Sequence, residues 1–594
     1  METVKKRSEM DPKYQWRLTD IFADEAAYNE AFAQAEELVS AVAQGQGRVA
    51  EDPTKAITAS FRVREKLEKL LSFVMMKKDE DNGNTHSQAE MQRAMSLAIK
   101  AETVGAYLQP ELLAMPEDEL KALMDKPEMK EYRVFLSDLL REKPHTLSAA
   151  EERILAMTGD MAQGPDDIYS MLTDVDLKFD AVKDGEGNDV ALTDSGYGKI
   201  IHCADRTLRA NAFHTLFSTY GAFGNTIAGT YGASVKKDCF YAKVRNHASA
   251  LEASLFPDQI PVAVYDNLVS AVHEALPALN KYLAVRKKAT GTEELHLYDL
   301  YVPIAGDFDM NLPYEEAYQL VMEGLAPHGE DYVAILKQAH DEGWLDVYEN
   351  ENKTGGAYSN GVHAVHPYVL LNHHDNLDSA MTIAHELGHA MHSWFSDHAQ
   401  PFATCDYSLF VAEVASTTNE IIVMRHLLNK YKDDKKAVRF LLNHYLEQFR
   451  TTVFRQTMFA EFERKVHEMW EQGIPLTNES MGDVYYELNK QYYGESCVVD
   501  EEIRNEWMRI PHFYRAFYVY KYATGFSAAV FLANRILTEG EKAVKDYRKF
   551  LSAGCSVSPL DALRLAGLDM ANPQPVKDAL NEFARTVDTF TEMF

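Results

Sequence analysis

Cysteine is scarce in this sequence, with five residues among 594. They are odd in number, far apart and never spaced as C-x-x-C: Cys203, Cys239, Cys405, Cys497 and Cys555. A disulfide framework needs an even set, and a cysteine zinc site needs closely spaced pairs. The sequence therefore predicts free thiols, as is typical of a reducing compartment.

Long hydrophobic runs are also missing. No 18 consecutive residues are apolar and uncharged, and residues 1–15 carry basic side chains without an apolar segment. A membrane-spanning helix and a secretory signal peptide both need such a run. Together with the free thiols, this absence predicts a soluble, cytoplasmic protein. Internal repeats and low-complexity segments are absent as well.

Positive charge is in deficit. The chain has 60 Lys and Arg residues against 91 Asp and Glu residues, a formal net charge of −31 at pH 7. Such an acidic chain is repelled by phosphate backbones and anionic lipids, which argues against nucleic acid or membrane as a partner. If the charge lined a cleft, cationic peptides would be favoured there. The length is ample for a large core and more than one lobe.

The most informative stretch covers residues 376–396 and reads NLDSAMTIAHELGHAMHSWFS. At about 100° per residue on a helix, three histidines fall within one narrow sector: His385, His389 and His392. Apolar residues fall on the opposite side: Ile383, Leu387, Ala390, Met391 and Trp394. The pattern predicts an amphipathic helix with a core face and an imidazole face, capped at its start by Asp378 or Ser379.

His385 and His389 form the motif H-E-x-x-H, whose spacing aims two ring nitrogens at one point. Neutral imidazoles suit a borderline ion such as Zn²⁺, and a catalytic zinc site needs a third protein ligand and an open position for water. Glu386 lies beside that point and would be the base for the water. The alternative is a helix with surface histidines, but the amphipathic placement favours a metal site.

The third ligand distinguishes the zinc hydrolase classes. A metzincin would read H-E-x-x-H-x-x-G-x-x-H, but His392 stands in the glycine position and Phe395 in that of the last histidine, which excludes this class. His392 lies one turn beyond His389, so we expect a hydrogen-bond partner or a cleft wall there rather than a ligand. Glu413, in the first turns of a second predicted helix over 409–431, can complete a His₂Glu set.

Helical apolar spacing dominates the rest of the chain. Besides the two helices above, helices are predicted over 25–42, 53–76, 86–108, 127–142, 149–163, 206–245, 261–290, 313–324, 331–338, 437–464 and 481–493. Alternation within 174–201 predicts a β-hairpin, and the aromatic-rich residues 297–303 are expected to be extended.

Residues 355–372, GGAYSNGVHAVHPYVLLN, precede the motif. Their glycines predict a loop, and the apolar run 367–372 predicts a strand. An extended substrate commonly pairs with an edge strand beside the metal, which presents the scissile carbonyl. The alternative is an ordinary loop and a buried strand. Four nearby histidines are expected either to line the wall of the cleft or to be polar residues with satisfied hydrogen bonds: His363, His366, His373 and His374.

A second notable patch covers 511–526 and reads PHFYRAFYVYKYATGF. Tyr514, Tyr518 and Tyr522 recur every four residues and predict one stripe along a helix, with Tyr520 well around from it. Such a stripe is more often core with satisfied hydroxyls. A phenol or imidazole opposite a metal can instead stabilise the oxyanion that forms in hydrolysis.

HELGHAMHSWFS and SLFVAEVASTTNE resemble the zinc oligopeptidases of the M3 type, specifically the oligoendopeptidase F branch. WRLTDIF, GAYSNG and FYVYKYATGF extend the resemblance to most of the chain. It implies a mainly α, two-lobed, thimet-oligopeptidase-like zincin fold around a deep channel, with a small β-sheet next to the H-E-x-x-H helix. The expected domains are an N-terminal helical lobe over 1–115, a helical and β-hairpin connecting region of that lobe over 116–200, and a zinc metallopeptidase catalytic domain over 201–594.

The resemblance also implies residue roles. One Zn²⁺ per chain would be bound by three residues: His385, His389 and Glu413. Glu386 would be the general base. The oxyanion donors of the family match His512 best, followed by Tyr514 and Tyr520.

The expected activity is hydrolysis of internal peptide bonds in short, unfolded oligopeptides, because a folded protein could not pass a narrow channel. One alternative is a carboxypeptidase or dipeptidyl carboxypeptidase on the same fold, which would need an anchor for a substrate terminus such as Arg504, Arg509 or Arg515. Another is a non-catalytic, zinc-containing peptide-binding protein. The sequence leaves the oligomeric state open.

Overall fold

The computed structural model describes residues 4–306 and 310–594, so residues 1–3 of the basic N-terminal stretch lie outside it. Helices make up 71% of the structure, which confirms the mainly α fold class. The first twelve α-helices are α1 (Glu25–Ala43), α2 (Pro53–Glu80), α3 (Thr85–Gly105), α4 (Leu108–Leu113), α5 (Glu117–Met124), α6 (Arg133–Glu142), α7 (Ala149–Met157), α8 (Gly159–Ser170), α9 (Asp194–Ile201), α10 (Arg206–Ala222), α11 (Gly224–Val244) and α12 (Ala250–Leu255).

The later helices are longer on average. They are α13 (Val262–Thr290), α14 (Tyr314–Gly324), α15 (Glu330–Asp341), α16 (Leu377–Ala399), α17 (Leu409–Lys430), α18 (Lys435–Gln448), α19 (Arg455–Glu471), α20 (Asn478–Tyr493), α21 (Tyr520–Glu539), α22 (Glu541–Leu551), α23 (Pro559–Leu565) and α24 (Gln574–Thr591). Two π-helical turns extend this set: Met171–Asp176 after α8 and Phe449–Phe454 between α18 and α19.

The chain forms two compact units. The first unit comprises residues 1–144, 309–427 and 532–568, and the second unit comprises residues 145–308, 428–531 and 569–594. The domain boundaries expected from the sequence, after residues 115 and 200, stay predictions.

The small β-strands form two sheets among the described residues. β1 (Val182–Lys183) and β2 (Asp189–Val190) make the predicted antiparallel hairpin. In the first unit, β3 (Leu345–Asp346), β4 (Tyr358–Asn360) and β5 (Tyr368–Leu370) lie in the order β3-β5-β4, with β5 parallel to β3 and antiparallel to β4.

This order corrects one expectation about the sheet. The apolar run 367–372 does contain a strand. This strand, β5, pairs with β3 on one side and with β4 on the other, so it is not an edge strand. The edge strands are β3 and β4, and β4 lies in the segment that the glycine-rich sequence predicted as a loop. Tyr358 and its two neighbours pair with β5 because the apolar, fully buried β5 leaves its backbone groups in need of partners on both sides.

Residues 297–303 give a second correction. They begin with a 3₁₀ turn over Leu297–Asp299 instead of an extended segment. The Asp299 carboxylate is fully buried, accepts the backbone N–H of His296 at 3.1 Å and is held by the guanidinium of Arg209 at 2.8 Å. These contacts of the Asp299 carboxylate stabilise the turn more than the aromatic residues favour an extended backbone.

In the first unit, the N-terminal helices and the three-stranded sheet each have their own apolar cluster. Tyr28, Phe32 and Leu70 lie in the core shared by α1, α2 and α3. Trp16 and Tyr368 lie in the cluster beneath β5, so the N-terminal segment covers the sheet. In the described part of the chain, no helix is long and apolar enough to cross a membrane, and all five cysteines are free. The cytoplasmic location stays a prediction.

Candidate metal centre

Helix α16 carries the H-E-x-x-H motif in the first unit. It begins at Leu377 because the side chain of Asn376 accepts the N–H of Ser379 at 2.9 Å. The N-cap is therefore Asn376, not Asp378 or Ser379 as expected from the sequence. Most of the predicted core face is buried, with Ile383 and Leu387 at most 1% exposed, but Trp394 is only partly buried.

Helix α17 approaches α16 very closely at Gly388. A Cβ atom at this position would lie 2.5 Å from Cα of Ser416 and 2.8 Å from the carbonyl oxygen of Ala415. The two backbones are thus in direct contact, which only glycine permits. A hydrogen bond from the Asn419 side chain to the carbonyl of Ala384, 3.3 Å long, also joins the helices. This contact brings the first turns of α17 next to the motif histidines.

Three of the sequence-predicted residues meet at one point. The Nε2 atoms of His385 and His389 lie 3.2 Å apart. One carboxylate oxygen of Glu413 lies 3.3 Å from the first nitrogen and 3.5 Å from the second. Among the residues that the structure describes, these three form the group of His, Cys, Asp and Glu side chains that could hold a metal ion.

The spacing of these atoms matches what a metal requires. Ligands at about 2.0–2.1 Å from a tetrahedral Zn²⁺ ion lie about 3.3–3.4 Å from one another. Two imidazole nitrogens and one carboxylate oxygen at 3.2–3.5 Å fit that geometry without rearrangement. Three protein ligands leave a fourth position for water or substrate, as in catalytic zinc sites.

Two side chains of α17 orient two of these three groups, His385 and Glu413, and were not singled out from the sequence. The Glu420 carboxylate lies 2.5 Å from Nδ1 of His385, so Nε2 of that ring faces the group. The hydroxyl of Ser416, which is fully buried, donates to the Glu413 carboxylate at 3.0 Å. Glu420 follows Glu413 by seven residues, two helical turns, and this spacing was the signal that could have identified it.

The charges of the group are strongly coupled. Burial lowers the pKa of His385, but hydrogen bonds to the carboxylates of Glu413 and Glu420 outweigh it and raise this pKa to about 10. Burial raises the pKa of Glu413, and the two imidazoles bring it well below its usual value. A metal ion must therefore displace a proton from His385, so metal affinity decreases as the pH falls.

Glu386 is 7% exposed and lies on the same helix between the two histidines. Its pKa is raised, mainly by burial and partly by the carboxylates of Glu413 and Glu420, while His385 and His389 act in the opposite direction. A carboxylate with a raised pKa is a better base than an ordinary surface glutamate.

His392 does not belong to the group of three. Its ring stacks on Tyr407 with centroids 3.6 Å apart, it is 1% exposed, and burial lowers its pKa to about 3. The Tyr407 hydroxyl lies 2.9 Å from that of Ser393. His392 is thus a neutral packing residue on the buried side of α16 itself.

The edge strand β4 lies beside α16. A Cβ atom at Gly361, directly after β4, would lie 3.0 Å from the side chain of Ser393. The histidines of the preceding segment are bonded elsewhere: His363 lies 3.4 Å from the Gln400 carbonyl, and His373 lies 3.1 Å from the Leu312 carbonyl. They are not in the ligand group. In each, Nε2 has a hydrogen-bond partner and the buried Nδ1 has none among the described residues, so the expectation of satisfied polar residues holds for one ring nitrogen only.

The three predicted oxyanion donors lie in the second unit, in two different environments. The hydroxyl of Tyr514 lies 2.7 Å from that of Thr230, and its ring stacks on Tyr169. Tyr520 is fully buried and its ring contacts that of Tyr265. Only His512 is partly exposed, and its pKa is lowered by burial and by Arg515.

The predicted single tyrosine stripe is wrong. A 3₁₀ turn ends at Tyr514, and α21 begins only at Tyr520. Between them Phe517 adopts φ 55°, because its N–H donates to the buried carboxylate of Glu463 at 2.7 Å. Tyr518 and Tyr522 instead form an edge-to-face pair with ring centroids 5.4 Å apart. The ring centroid of His512 lies 6.1 Å from that of Tyr518 and 6.2 Å from that of Tyr522.

Comparisons with known proteins match nearly the whole chain. The family model described as Peptidase family M3 matches residues 200–582, and the one described as Oligopeptidase F matches residues 111–179. Oligopeptidase PepF of Bacillus subtilis (strain 168) is 43% identical over 591 residues, which cover 99% of this chain and 88% of that protein.

Other relatives agree. Group B oligopeptidase PepB of Streptococcus agalactiae serotype III is 36% identical over 581 residues, covering 97% of this chain and 96% of that protein. The crystal structure of oligoendopeptidase-F from Enterococcus faecium superposes with a TM-score of 0.74 at 35% identity, covering 95% of this chain and 98% of that chain. The chain therefore belongs to peptidase family M3, in its oligoendopeptidase F branch, and is a metalloendopeptidase.

Proposed function

We propose that this protein is a zinc-dependent endopeptidase that hydrolyses internal peptide bonds of short, unfolded oligopeptides. The observation that carries the proposal is the group of His385, His389 and Glu413, whose ligand atoms lie 3.2–3.5 Å apart with Glu386 beside them. One Zn²⁺ ion per chain fits this group, and three ligands leave room for a reactive water.

When bound, zinc would supply a Lewis acid that lowers the pKa of water and polarises the scissile carbonyl. Glu386 accepts the proton of the attacking water and transfers it to the leaving amine. Glu420 keeps the imidazole of His385 oriented, and Ser416 does the same for the Glu413 carboxylate. An extended substrate pairs with the free edge of β4, so that its backbone runs along α16.

We assign the oxyanion donors to His512 and its tyrosine neighbours. Tyr514 and Tyr520 remain candidates by their match to the family, but both are buried, and the Tyr514 hydroxyl has Thr230 as its partner. The partly exposed cluster of His512, Tyr518 and Tyr522 supports a donor from these side chains. Loss of one such donor typically reduces the rate by about 10²–10³-fold.

Glu386→Gln tests the proposed base. The substitution keeps the shape of the side chain but removes its proton acceptor, so zinc content should match the wild type while cleavage of a quenched fluorescent peptide falls by about 10²–10⁴-fold. Atomic absorption and the fluorescence assay measure the two quantities on the same sample. Near wild-type turnover in this variant would remove Glu386 from the mechanism.

Glu413→Ala separates catalysis from mere peptide binding. The variant should lose zinc together with activity, since two imidazoles alone hold the ion weakly. In a non-catalytic peptide-binding protein, a chelator would abolish binding but no cleavage would be seen at any metal concentration. Cleavage that a chelator stops and added zinc restores would exclude that alternative.

Exopeptidase action requires an anchor for a substrate terminus. Arg504 is paired with Asp483, and Arg509 with Asp194, so neither is available. Arg515 is exposed and has no carboxylate partner within the described residues, which makes it the remaining candidate. Mass spectrometry of the products from a mixed peptide pool distinguishes internal from terminal cleavage.

A further inference from the structure

The segment of α7, α8 and the following π-helical turn displays an unusual row of exposed apolar side chains in the second unit. Six large apolar residues are between 51% and 74% exposed: Ile154, Met157, Met161, Ile168, Met171 and Val175. Four of them recur every seven residues: Ile154, Met161, Ile168 and Val175. Met157 and Met171 each lie three residues after one of these four. This spacing keeps side chains on one helical face. We call these six residues the apolar stripe.

The stripe belongs to a firmly packed element. Leu155 and Tyr169 lie on the opposite face and are buried. Tyr169 stacks on Tyr514 with ring centroids 4.4 Å apart, and the hydroxyl of Thr158 lies 2.7 Å from that of Tyr241. The helix is thus anchored on one side and presents the stripe on the other. Contiguous exposed apolar surface of this kind marks a binding surface.

An acidic row runs beside the stripe. Asp160, Asp167 and Asp174 also recur every seven residues, each directly before a stripe residue, and all three are exposed. None of them forms an ion pair with any residue in the described part of the chain. Arg153 occupies the preceding position of the same row, so the negative charge covers the part of the stripe from Met161 onward.

We propose that the apolar stripe and its acidic row form a docking surface for oligopeptides that are both hydrophobic and cationic. The proposal rests on the proposed peptidase function and names the substrates that it favours. Three of the six stripe residues are methionine, whose flexible thioether adapts to different apolar side chains and suits a surface that accepts many sequences. The acidic row attracts Lys and Arg side chains next to those apolar contacts.

The length of the stripe sets the size of peptide that can use it fully. From Ile154 to Val175 the helical path measures about 32 Å at 1.5 Å per residue. An extended peptide covers that distance with about ten residues. Peptides of four or five residues reach only part of the stripe, so their cleavage should not depend on it.

The test measures binding in the full-length, zinc-loaded Glu386→Gln variant, which does not consume the probe. The probes are three fluorescein-labelled decapeptides that alternate Leu with Lys, Leu with Gln, or Gln with Lys. One variant carries Met157→Ser, Met161→Ser and Met171→Ser, and a second carries Asp160→Asn, Asp167→Asn and Asp174→Asn. Matched controls replace exposed residues of the first unit: Met95→Ser with Ile99→Ser, and Asp118→Asn with Asp125→Asn.

The methionine variant should raise the Kd of both leucine-containing peptides by about tenfold, because three apolar contacts are lost. The aspartate variant should raise the Kd of the lysine-containing peptides and reduce the dependence of this Kd on salt. The control variants should bind like the parent. In the active background, cleavage of a neutral pentapeptide should be unchanged in both stripe variants.

Two outcomes would overturn the inference. One is an unchanged Kd in the stripe variants, or an equal change in the controls. The other is a wild-type dimer in size-exclusion chromatography that the methionine variant dissociates while peptide binding stays the same, which would assign the stripe to a second copy of the chain. If the wild-type holoenzyme cleaved no peptide, the proposed function would be contradicted. The docking surface would then be judged from the peptide-binding measurements alone.

Discussion

At the scale of single residues, the contact between Glu420 and His385 determines how the metal ligands are presented. Glu420 lies 2.5 Å from Nδ1 of the imidazole, and this leaves Nε2 to face Glu413. A carboxylate in this position fixes the tautomer of a ligand histidine and increases its basicity. The group that could hold a metal ion thus depends on a residue outside the group itself.

Glu420→Gln should weaken zinc binding about 10- to 100-fold, since the amide keeps the hydrogen bond but not the charge. The affinity can be measured by competition with a chromophoric chelator, and Glu316→Gln on the surface of α14 is the matched control. Equal zinc affinity in the variant and the control would show that Glu420 has no influence on the ligand. Activity at saturating zinc should fall less than activity at limiting zinc.

His328 provides a prediction on stability and pH. It is fully buried and stacks on Tyr332 with ring centroids 4.3 Å apart, and its pKa is lowered to about 3, mainly by burial and also by Arg548. The unfolded chain, with an ordinary histidine pKa of about 6.5, binds the proton more readily, so stability is lost as the pH falls below that value. At pH 5 the loss amounts to about 2 kcal/mol.

His328→Phe removes this titration and can retain the aromatic stacking. The difference in melting temperature between pH 7.5 and pH 5 should be smaller in the variant than in the wild type. His86→Phe, an exposed histidine on α3, serves as the control and should leave the difference unchanged. An identical pH dependence in all three proteins would mean that His328 is not a source of acid lability.

At the scale of elements, the helices were predictable because their apolar spacing is local. The two helices of the metal group, α16 and α17, begin and end within a few residues of the predicted positions. The distance between two helices could not be predicted in this way, because the apolar spacing within a helix carries no information about it. The contact at Gly388, which brings Glu413 to the histidines, is visible only in the folded chain.

Gly388→Ala should therefore disrupt the metal centre without changing a ligand. The new methyl group would overlap Cα of Ser416 and the Ala415 carbonyl, so α16 and α17 must separate. We expect a destabilisation of about 1–3 kcal/mol and a loss of zinc affinity of at least tenfold. Thermal denaturation and zinc titration measure these effects, with Gly229→Ala in α11, where a Cβ meets nothing within 4 Å, as the control.

The parts that sequence reasoning missed depend on distant partners. Phe517 leaves the helical conformation because of Glu463, which is 54 residues away in the chain. The strand β4 forms because β5 needs a second partner, although its own sequence is typical of a loop. Ser416 is an exception, because its partner Glu413 lies only three residues away in the same helix. The two histidines of the metal group were predictable because the motif places them within five residues, whereas Glu413 lies outside the motif, in the next long helix.

At the scale of the whole molecule, the net charge of −31 leads us to expect a preference for cationic substrates. A strongly acidic protein attracts cationic peptides over distances that salt shortens, with a screening length of about 8 Å at physiological ionic strength. The kcat/KM of a peptide with several lysines should fall as salt is raised from low to physiological concentration. For an uncharged peptide of equal length it should stay nearly constant.

Stopped-flow cleavage of the two peptides over a salt series checks this expectation. The quantity to compare is the ratio of the two kcat/KM values, because salt can change the activity of the enzyme towards both peptides. A ratio that does not vary with salt would mean that the surface charge has no influence on encounter with the substrate.

The path of the chain through its two units has a consequence for biosynthesis. The first unit, which contains the metal group, takes its third segment from residues 532–568, close to the C-terminus. While a ribosome is still translating the chain, the helices that hold the histidines therefore lack part of their packing. We therefore expect the metal centre to reach its full packing only after residues 532–568 have been synthesised and have joined the first unit.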